Sequence, residues 1–364
     1  MKNIFFWGGV TTHLYEVVKE MTQYFDRVYA IVTPNCFERK ERAPQAIDGN
    51  VVILHYNEVG DVAKIACLGN VDDSIHVNGA LKIGNLNNKA LKYLCQKGYH
   101  VVSFPQEPFQ LYGIKGVVNY LKWFYYLHCT YRSKIDAYGL TGLKAERHFK
   151  SLLVPSHKMF QFLYVTKQTA NVPIVKNKRI KFIYVGAIDK RKNIIPFIQW
   201  MMNYDNQDFD FEIYGSWDLD NVLEKIINGC PHIAYFGKKD YSVVRSAMCK
   251  ADWLVLPSLH DGWGAVVNEG LQAGCKILVS EQCGASSLVV RNSFLGYVFD
   301  ARKCNHLKGI MDTIFSKGPL TISEHEMIRE WATSHIGSKV VGKYLNEVLR
   351  YYYGNASKPT PFWL

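Results

Sequence analysis

Between Leu254 and Gly274 the chain reads LVLPSLHDGWGAVVNEGLQAG: an apolar run, a short polar turn holding two glycines, and then a helical pattern. Two carboxylates, Asp261 and Glu269, stand eight positions apart in it. Leu254–Leu256 makes a buried strand, and Gly262 and Gly264 let the backbone approach a ligand. A helix starting near Ala265 and Val266 points free N–H groups and its positive dipole end at an anion. A diphosphate fits there, with Asp261 in the loop beside a neutral polyol and Glu269 about one turn into the helix, where it grips two ribose hydroxyls. Ionised carboxylates only accept hydrogen bonds, as hydroxyl recognition requires. The pattern suits a sugar nucleotide. The same residues also compose an ordinary strand-turn-helix, with Asp261 as a turn residue and Glu269 as a favourable charge in a first helical turn.

The rest of the chain supplies an α/β setting for that segment. Ile4–Trp7, Val28–Val32, Val51–Leu54, Ser74–Val77 and Val101–Phe104 are short apolar runs separated by helical patterns, and Leu14, Val17, Val18, Met21 and Phe25 form one apolar stripe at helical spacing. This predicts parallel sheets flanked by helices. A polar stretch, 166–181, follows a strand end at Leu153-Val154-Pro155-Ser156 and reads as a linker between a domain at 1–165 and a second at 182–341. A last amphipathic helix carries Val340, Val341, Tyr344, Leu345, Val348, Leu349 and Tyr352. The length of 364 residues suits two or three domains, and 48% hydrophobic with 21% charged residues is ordinary globular usage. The opening MKNIFFWGGV is too short and glycine-broken for a signal peptide and reads as a first strand. No run reaches the length of a membrane span. Nine scattered cysteines without a C-x-x-C pair read as reduced thiols of a cytoplasmic protein.

The segment from Leu254 resembles the acid-x7-acid motif of retaining glycosyltransferases of family four (glycosyltransferases group 1), with Asp261 where that family usually has Glu. Phe182–Ile194, FIYVGAIDKRKNI, is similar to the family's strand and phosphate-binding loop, with Gly186 in the turn and Lys192 at the basic position. Phe211–Gly215 and Ile233–Gly237 look like its next two strand-and-glycine turns, the second followed by Lys238. Gly8-Gly9-Val10-Thr11-Thr12-His13 looks like its first glycine loop. The resemblance implies a GT-B type fold, two doubly wound Rossmann-like domains facing across a cleft. It also implies that residues from about 342 to 364 pack back onto the first, acceptor-binding domain, and that 182–341 binds the donor. The implied activity moves a hexose or N-acetylhexosamine from a UDP- or GDP-type sugar to a glycan or lipid-linked glycan, with retention of anomeric configuration and without a metal. Lys192, Asp261 and Glu269 would carry the chemistry. Lys190, Arg191, Gly8, Gly9, Gly186, Gly215, Gly237, Lys238, Gly262, Trp263, Gly264, Ala265 and Val266 would line the donor. Two departures stand out: Ala187 replaces the family's arginine against the donor phosphates, which leaves that charge to Lys190 or Arg191 or leaves the phosphates to Lys192 and backbone, and Pro105-Gln106 occupies the neighbourhood of a histidine.

Charge is uneven. Residues 110–170 carry nine Lys or Arg against Asp136 and Glu146, most of the net +11 of the chain, interleaved with Tyr112, Tyr120, Trp123, Phe124, Tyr125, Tyr126 and Tyr131. That mix suits an anionic membrane or an acidic substrate, with Lys115, Lys122, Trp123, Arg132 and Lys134 as contacts and His13 and Gln106 as further acceptor candidates. It equally suits a solvated helix whose aromatic residues are core, and no nucleic-acid fold signature accompanies it. Asp208-Phe-Asp210 and Asp218-Leu-Asp220 spell a metal-binding D-x-D, a pattern short enough to arise by chance. His76 and His128 lack ligand spacing and read as structural, whereas His13 lies in the first glycine loop. Two rival classes stay open: a nucleotide-sugar epimerase on the same fold, and a basic membrane or nucleic-acid binding protein with a degenerate sugar site.

Overall fold

A computed structural model describes residues 1–7, 14–32, 50–58, 60–79, 81, 86–108, 113–131, 133–167, 172–216, 220–303 and 307–363. The chain divides into two compact units, Met1–Lys167 with Gly337–Phe362, and Gln168–Ile336 with Trp363–Leu364. Gly8, Gly9, His13, Arg132 and Asp218 lie outside the described residues.

The first unit runs β1 (Asn3–Trp7), α1 (Tyr15–Glu20), β2 (Arg27–Val32), β3 (Val51–His55), α2 (Asp61–Ala66), β4 (Ser74–Asn78), α3 (Leu86–Lys97), β5 (His100–Gln106), α4 (Gly113–Tyr125), β6 (Ala137–Thr141), α5 (Gly142–Ser151) and β7 (Met159–Phe162). Its sheet has seven strands in the order β3-β2-β1-β4-β5-β6-β7, every pair parallel. The order reverses between β1 and β4, where Trp7 stands opposite Asn78. β1, β4 and β6 are buried along their whole length, as strands covered by helices on both faces must be. The strand expected to end at Leu153–Ser156 is instead β7, three residues later. Leu153 takes a left-handed backbone (φ 59°) just beyond α5, and Ser156–Lys158 form one turn of tight helix before the strand starts.

The second unit runs β8 (Ile180–Val185), α6 (Ile194–Met202), β9 (Phe209–Tyr214), α7 (Asp220–Ile227), β10 (Ile233–Gly237), α8 (Tyr241–Met248), β11 (Trp253–Leu256), α9 (Val266–Ala273), β12 (Lys276–Ser280), α10 (Ser286–Arg291), β13 (Gly296–Phe299), α11 (Leu307–Lys317) and α12 (Ile322–Ile336). Six parallel strands pair in the order β10-β9-β8-β11-β12-β13. Strand order here reverses between β8 and β11. β8 opens two residues earlier than the apolar run indicates because the Lys181 amide is bonded to the buried Asp252 carboxylate (2.8 Å) and Ile180 already pairs with Phe209. The two sheets, their alternating helices and their doubly wound orders define a GT-B type fold of two Rossmann-like halves.

The last helix, α13 (Ser338–Tyr353), belongs to the first unit. Its stripe of Val341, Tyr344, Leu345, Val348 and Leu349 is buried. It crosses α1 at Gly342, where a methyl would stand 2.6 Å from Glu20 Cβ, so only glycine permits this approach. Ser338 Oγ donates to Glu20 Oε1 at 3.1 Å, and the Tyr353 hydroxyl donates to Asp136 at 2.7 Å.

His76 is a structural residue inside the first sheet. It is fully buried, stacks on Phe5, and accepts Trp7 Nε1–H on Nδ1 at 2.9 Å. Burial pulls its pKa from 6.5 down to about 3. Between those values the unfolded chain binds a proton that the folded chain refuses, so this contribution to stability is complete above 6.5 and declines as pH falls toward 3. The melting temperature should therefore drop on acidification through that window, and His76→Asn, which keeps an acceptor for Trp7, should flatten the slope. Parallel slopes for the two proteins in pH-dependent thermal melts would remove His76 as the cause.

Candidate functional site

In open parallel sheets a ligand finds its place at the carboxyl ends of the strands that flank the reversal of order. In the second unit those strands are β8 and β11, and most of the residues singled out from sequence there lie in the loops that follow them. The loop after β8 is shaped by Asp189, whose carboxylate accepts the Lys192 backbone N–H at 2.7 Å, and by Asn193 in a left-handed conformation (φ 56°) that starts α6. This turn aims the Lys192 side chain at the loop after β11. There the Lys192 ammonium forms a direct ion pair with Asp261 Oδ2, both side chains being only 12% and 14% exposed. Arg191 approaches the other oxygen, Oδ1, at 3.7 Å and donates to the His260 carbonyl at 3.3 Å. One carboxylate thus lies between two cations.

Backbone bonds fix that geometry. Leu259 N–H donates to the Arg191 carbonyl (2.8 Å), Asp261 N–H to the Gln282 carbonyl (3.2 Å), Gly284 N–H to the Asp261 carbonyl (3.3 Å) and Ala285 N–H to the Trp263 carbonyl (2.9 Å). The loops after β8, β11 and β12 are therefore tied edge to edge. Cys283, opposite Asp261 in a one-residue bridge, is buried. Burial and the Asp261 charge push its thiol up to about 12, which keeps it protonated and unreactive. Gly264 takes φ 91°, and a methyl there would stand 2.8 Å from Leu256. Trp263 is buried and its Nε1–H donates to Asn268 Oδ1 at 2.8 Å, which pins the turn to α9.

Glu269 sits in the first turn of α9, half-buried. Its carbonyl accepts a hydrogen bond from the buried Arg245 of α8. Burial raises the Tyr241 phenol of α8, and the Glu269 charge adds to that rise. Three glycines form a row at the carboxyl edge of β8, β9 and β10. Gly186 N–H donates to Tyr214 and Gly215 N–H to Gly237, both at 3.0 Å, and a methyl on Gly215 would lie 1.8 Å from the Gly186 carbonyl oxygen.

The structure thus joins Lys192, Arg191 and Asp261 in one cluster and sets Gly262, Trp263, Gly264, Ala265 and Val266 directly after it. Lys190 points to solvent and has no ion pair among the described residues, so of the two cations offered in place of the family arginine only Arg191 joins the cluster. Lys238 is exposed beyond Gly237. In the first unit Gln106 departs from its role as an acceptor contact. It is buried, with Oε1 accepting from Leu81 N–H (3.1 Å) and Nε2 donating to Gly79 (2.7 Å) and Ser103 (2.9 Å), so its amide is committed to the loop after β4. Trp123 likewise packs against the core of the first unit. Asp208 and Asp210 clasp Arg179 (2.8 and 3.1 Å), so both carboxylates of that D-x-D are paired with a cation. Among the described residues no cluster of three or more His, Cys, Asp or Glu is placed to hold a metal ion. Arg245 and Tyr241 carry no sequence signal, because a lone arginine or tyrosine in an amphipathic helix is unremarkable.

Residues 166–332 match the family of glycosyl transferases group 1. An uncharacterized glycosyltransferase of Methanocaldococcus jannaschii is 29% identical over 128 residues, 35% of each chain, so the match spans about a third of that relative's length. Among solved structures, the lipopolysaccharide outer core galactosyltransferase WaaB is similar over 96% of this chain and 99% of its own, with TM-score 0.69 at 13% identity. Anabaena Alr3699/HepE in complex with UDP is similar over 96% of this chain and 100% of its own, with TM-score 0.67 at 12% identity. These two likenesses concern the fold, while the family match spans the stretch that holds Lys192 and Asp261.

The glycine row gives a direct check on the site's packing. Gly215→Ala should destabilise the protein by about 1–3 kcal/mol, the usual cost of forcing a methyl into closed packing, and lower the order of the Gly186 turn. Gly309→Ala, at a helical position with nothing within 4 Å of the added methyl, should be neutral or slightly stabilising. Equal urea midpoints for the two variants would contradict the contact.

Proposed function

We propose that the protein is a retaining glycosyltransferase that moves a hexose or N-acetylhexosamine from a UDP- or GDP-type sugar to a glycan or lipid-linked glycan in cell-surface polysaccharide or glycoconjugate synthesis. The second unit binds the donor and the first the acceptor. The observation that carries this reading is the Asp261 carboxylate held between Lys192 and Arg191 at the carboxyl ends of β8 and β11, immediately before the N-terminus of α9. A diphosphate entering that space competes with Asp261 for Lys192. Once Lys192 turns to the phosphate, Asp261 is released to accept from the hydroxyls of the sugar, so one exchange of partners both binds the donor and orients it. Glu269 accepts from the ribose hydroxyls. As the nucleoside diphosphate departs, charge grows on the β-phosphate, and Lys192, Arg191 and the α9 N-terminus stabilise it. Retention is carried over from the resemblance of the Asp261-x7-Glu269 segment to family four. Support for a lipopolysaccharide or related acceptor comes from the likeness to WaaB, and for a UDP donor from the likeness to the UDP complex of HepE.

A thermal-shift panel of UDP, GDP and ADP and their sugars tests the reading, because a ligand that binds only the folded chain raises its melting temperature. No shift with any of them would defeat it. Product formation only when an acceptor glycan is added would separate transfer from epimerisation.

Glu269→Ala should weaken nucleotide binding by about 1.5–3 kcal/mol, the value of a hydrogen bond to a charged group. Unchanged affinity in titration calorimetry would end its ribose role. The paired residues should split in opposite senses. Asp261→Asn frees Lys192 and should tighten free UDP or GDP by about 1 kcal/mol, the scale of a partly exposed ion pair, while slowing transfer. Lys192→Ala should lower kcat more than nucleotide affinity, since its charge matters most as the leaving group departs. If Asp261→Asn and Lys192→Ala move nucleotide affinity in the same direction, the exchange of partners is wrong.

A further inference from the structure

Helix α4 is apolar on two faces, and only one of them is used. Tyr120, Trp123 and Phe124 pack against the core of the first unit, and the Tyr120 hydroxyl donates to the Ser151 carbonyl at 2.7 Å. The opposite face carries Ile114, Val117, Val118, Leu121 and Tyr125, the i, i+3, i+4, i+7, i+11 spacing of a continuous helical stripe. All five stand in solvent, Ile114 at 88% and the other four between 59% and 62% exposure. Aliphatic side chains scattered singly over a surface need no account, but five in register on one helix do.

The stripe's surroundings name what covers it. Lys115 and Lys122 lie two turns apart on the same flank, both exposed, and α4 has no acidic residue. Of the two acids in the surrounding basic segment, Glu146 is engaged by Lys150 and Asp136 accepts the Tyr353 hydroxyl. Lys134 and Arg147 are exposed as well, with no ion pair among the described residues. We propose that α4 seats the protein on an anionic lipid surface, with Ile114, Val117, Val118 and Leu121 entering the boundary between headgroups and acyl chains and Lys115 and Lys122 at the headgroups. A thirteen-residue helix is about 20 Å long, and one such stripe is narrow for a protein interface, which needs roughly 800 Å² from each partner. Two copies meeting on this face would also oppose like charges. A bilayer demands no complementary shape and supplies the negative charge. The seat does not depend on the transferase reading, and it would hold for any chemistry in the second unit.

The test is co-sedimentation of the full chain with phosphatidylcholine vesicles, with and without phosphatidylglycerol, at low and physiological salt. Wild type should pellet only with the anionic vesicles. Val118→Ser with Leu121→Ser should reduce partitioning about tenfold through lost apolar burial, with the thermal melt unchanged because both side chains are already in water. Lys115→Gln with Lys122→Gln should weaken binding mainly at low salt, where surface charge is least screened. Wild type that stays in the supernatant, or serine variants that pellet as wild type does, would overturn the proposal. So would a wild-type dimer in sedimentation equilibrium that the serine variants split, which would assign the stripe to a second copy.

Discussion

Asp261 is the point on which the carboxyl edge of the second sheet depends. Its backbone joins the loop after β11 to the loop after β12, its side chain joins it to the loop after β8, and Leu259 two residues earlier adds a backbone bond to Arg191. Three loops from three strands are therefore held by one residue and its neighbours. A carboxylate this little exposed needs compensation, since an unpaired buried charge is costly. Lys192 and Arg191 supply it. The same compensation makes the cluster responsive, because any anion that satisfies Lys192 better removes one of the two charges holding Asp261.

Much of this region is legible in sequence for a physical reason. β8 and β11 are flanked by strands on both edges and helices on both faces, so from Phe182 to Val185 and from Trp253 to Leu256 they are apolar. A short unbroken apolar run followed by glycine and then helical spacing is what a strand, a turn and a covering helix produce. The start of α9 at Ala265 and the stripes of α1 and α13 follow from the same periodicity. The pairing of Lys192 with Asp261 is not legible. The two residues are 69 positions apart, and sequence indicates that both lie at carboxyl ends of strands without saying that those strands are neighbours. Taken separately, the lysine belongs to phosphates and the aspartate to sugar hydroxyls; together they neutralise one another. Gln106 misleads for a related reason. A polar residue at a strand end looks available until the loop behind it is seen to engage both its amide oxygen and its amide nitrogen.

In α4 the limit of periodicity is of another kind. A helix that is apolar on two faces satisfies the spacing rule for a buried face in more than one orientation, and residue type decides badly between them. The aromatic residues beside the lysines suggest an interface because tyrosine and tryptophan favour one. The fold sends Tyr120, Trp123 and Phe124 inward, where their larger area fills the space over the sheet, and turns out the aliphatic side. Composition locates the unusual segment, and only packing identifies which of its faces is unusual.

The glycine row at β8, β9 and β10 shows how backbone and electrostatics constrain the same edge. Gly215 lies so close to the Gly186 carbonyl that no side chain fits, which brings the ends of β8 and β9 together as a smooth backbone surface beside Lys192. Lys192 Cε is itself 3.9 Å from where a methyl on Gly186 would stand, so the lysine reaches Asp261 along a path that a larger residue would crowd. Removing bulk from this edge therefore does two things at once. It bares main-chain groups along the edge, and it leaves space beside the Lys192 side chain on its way to Asp261.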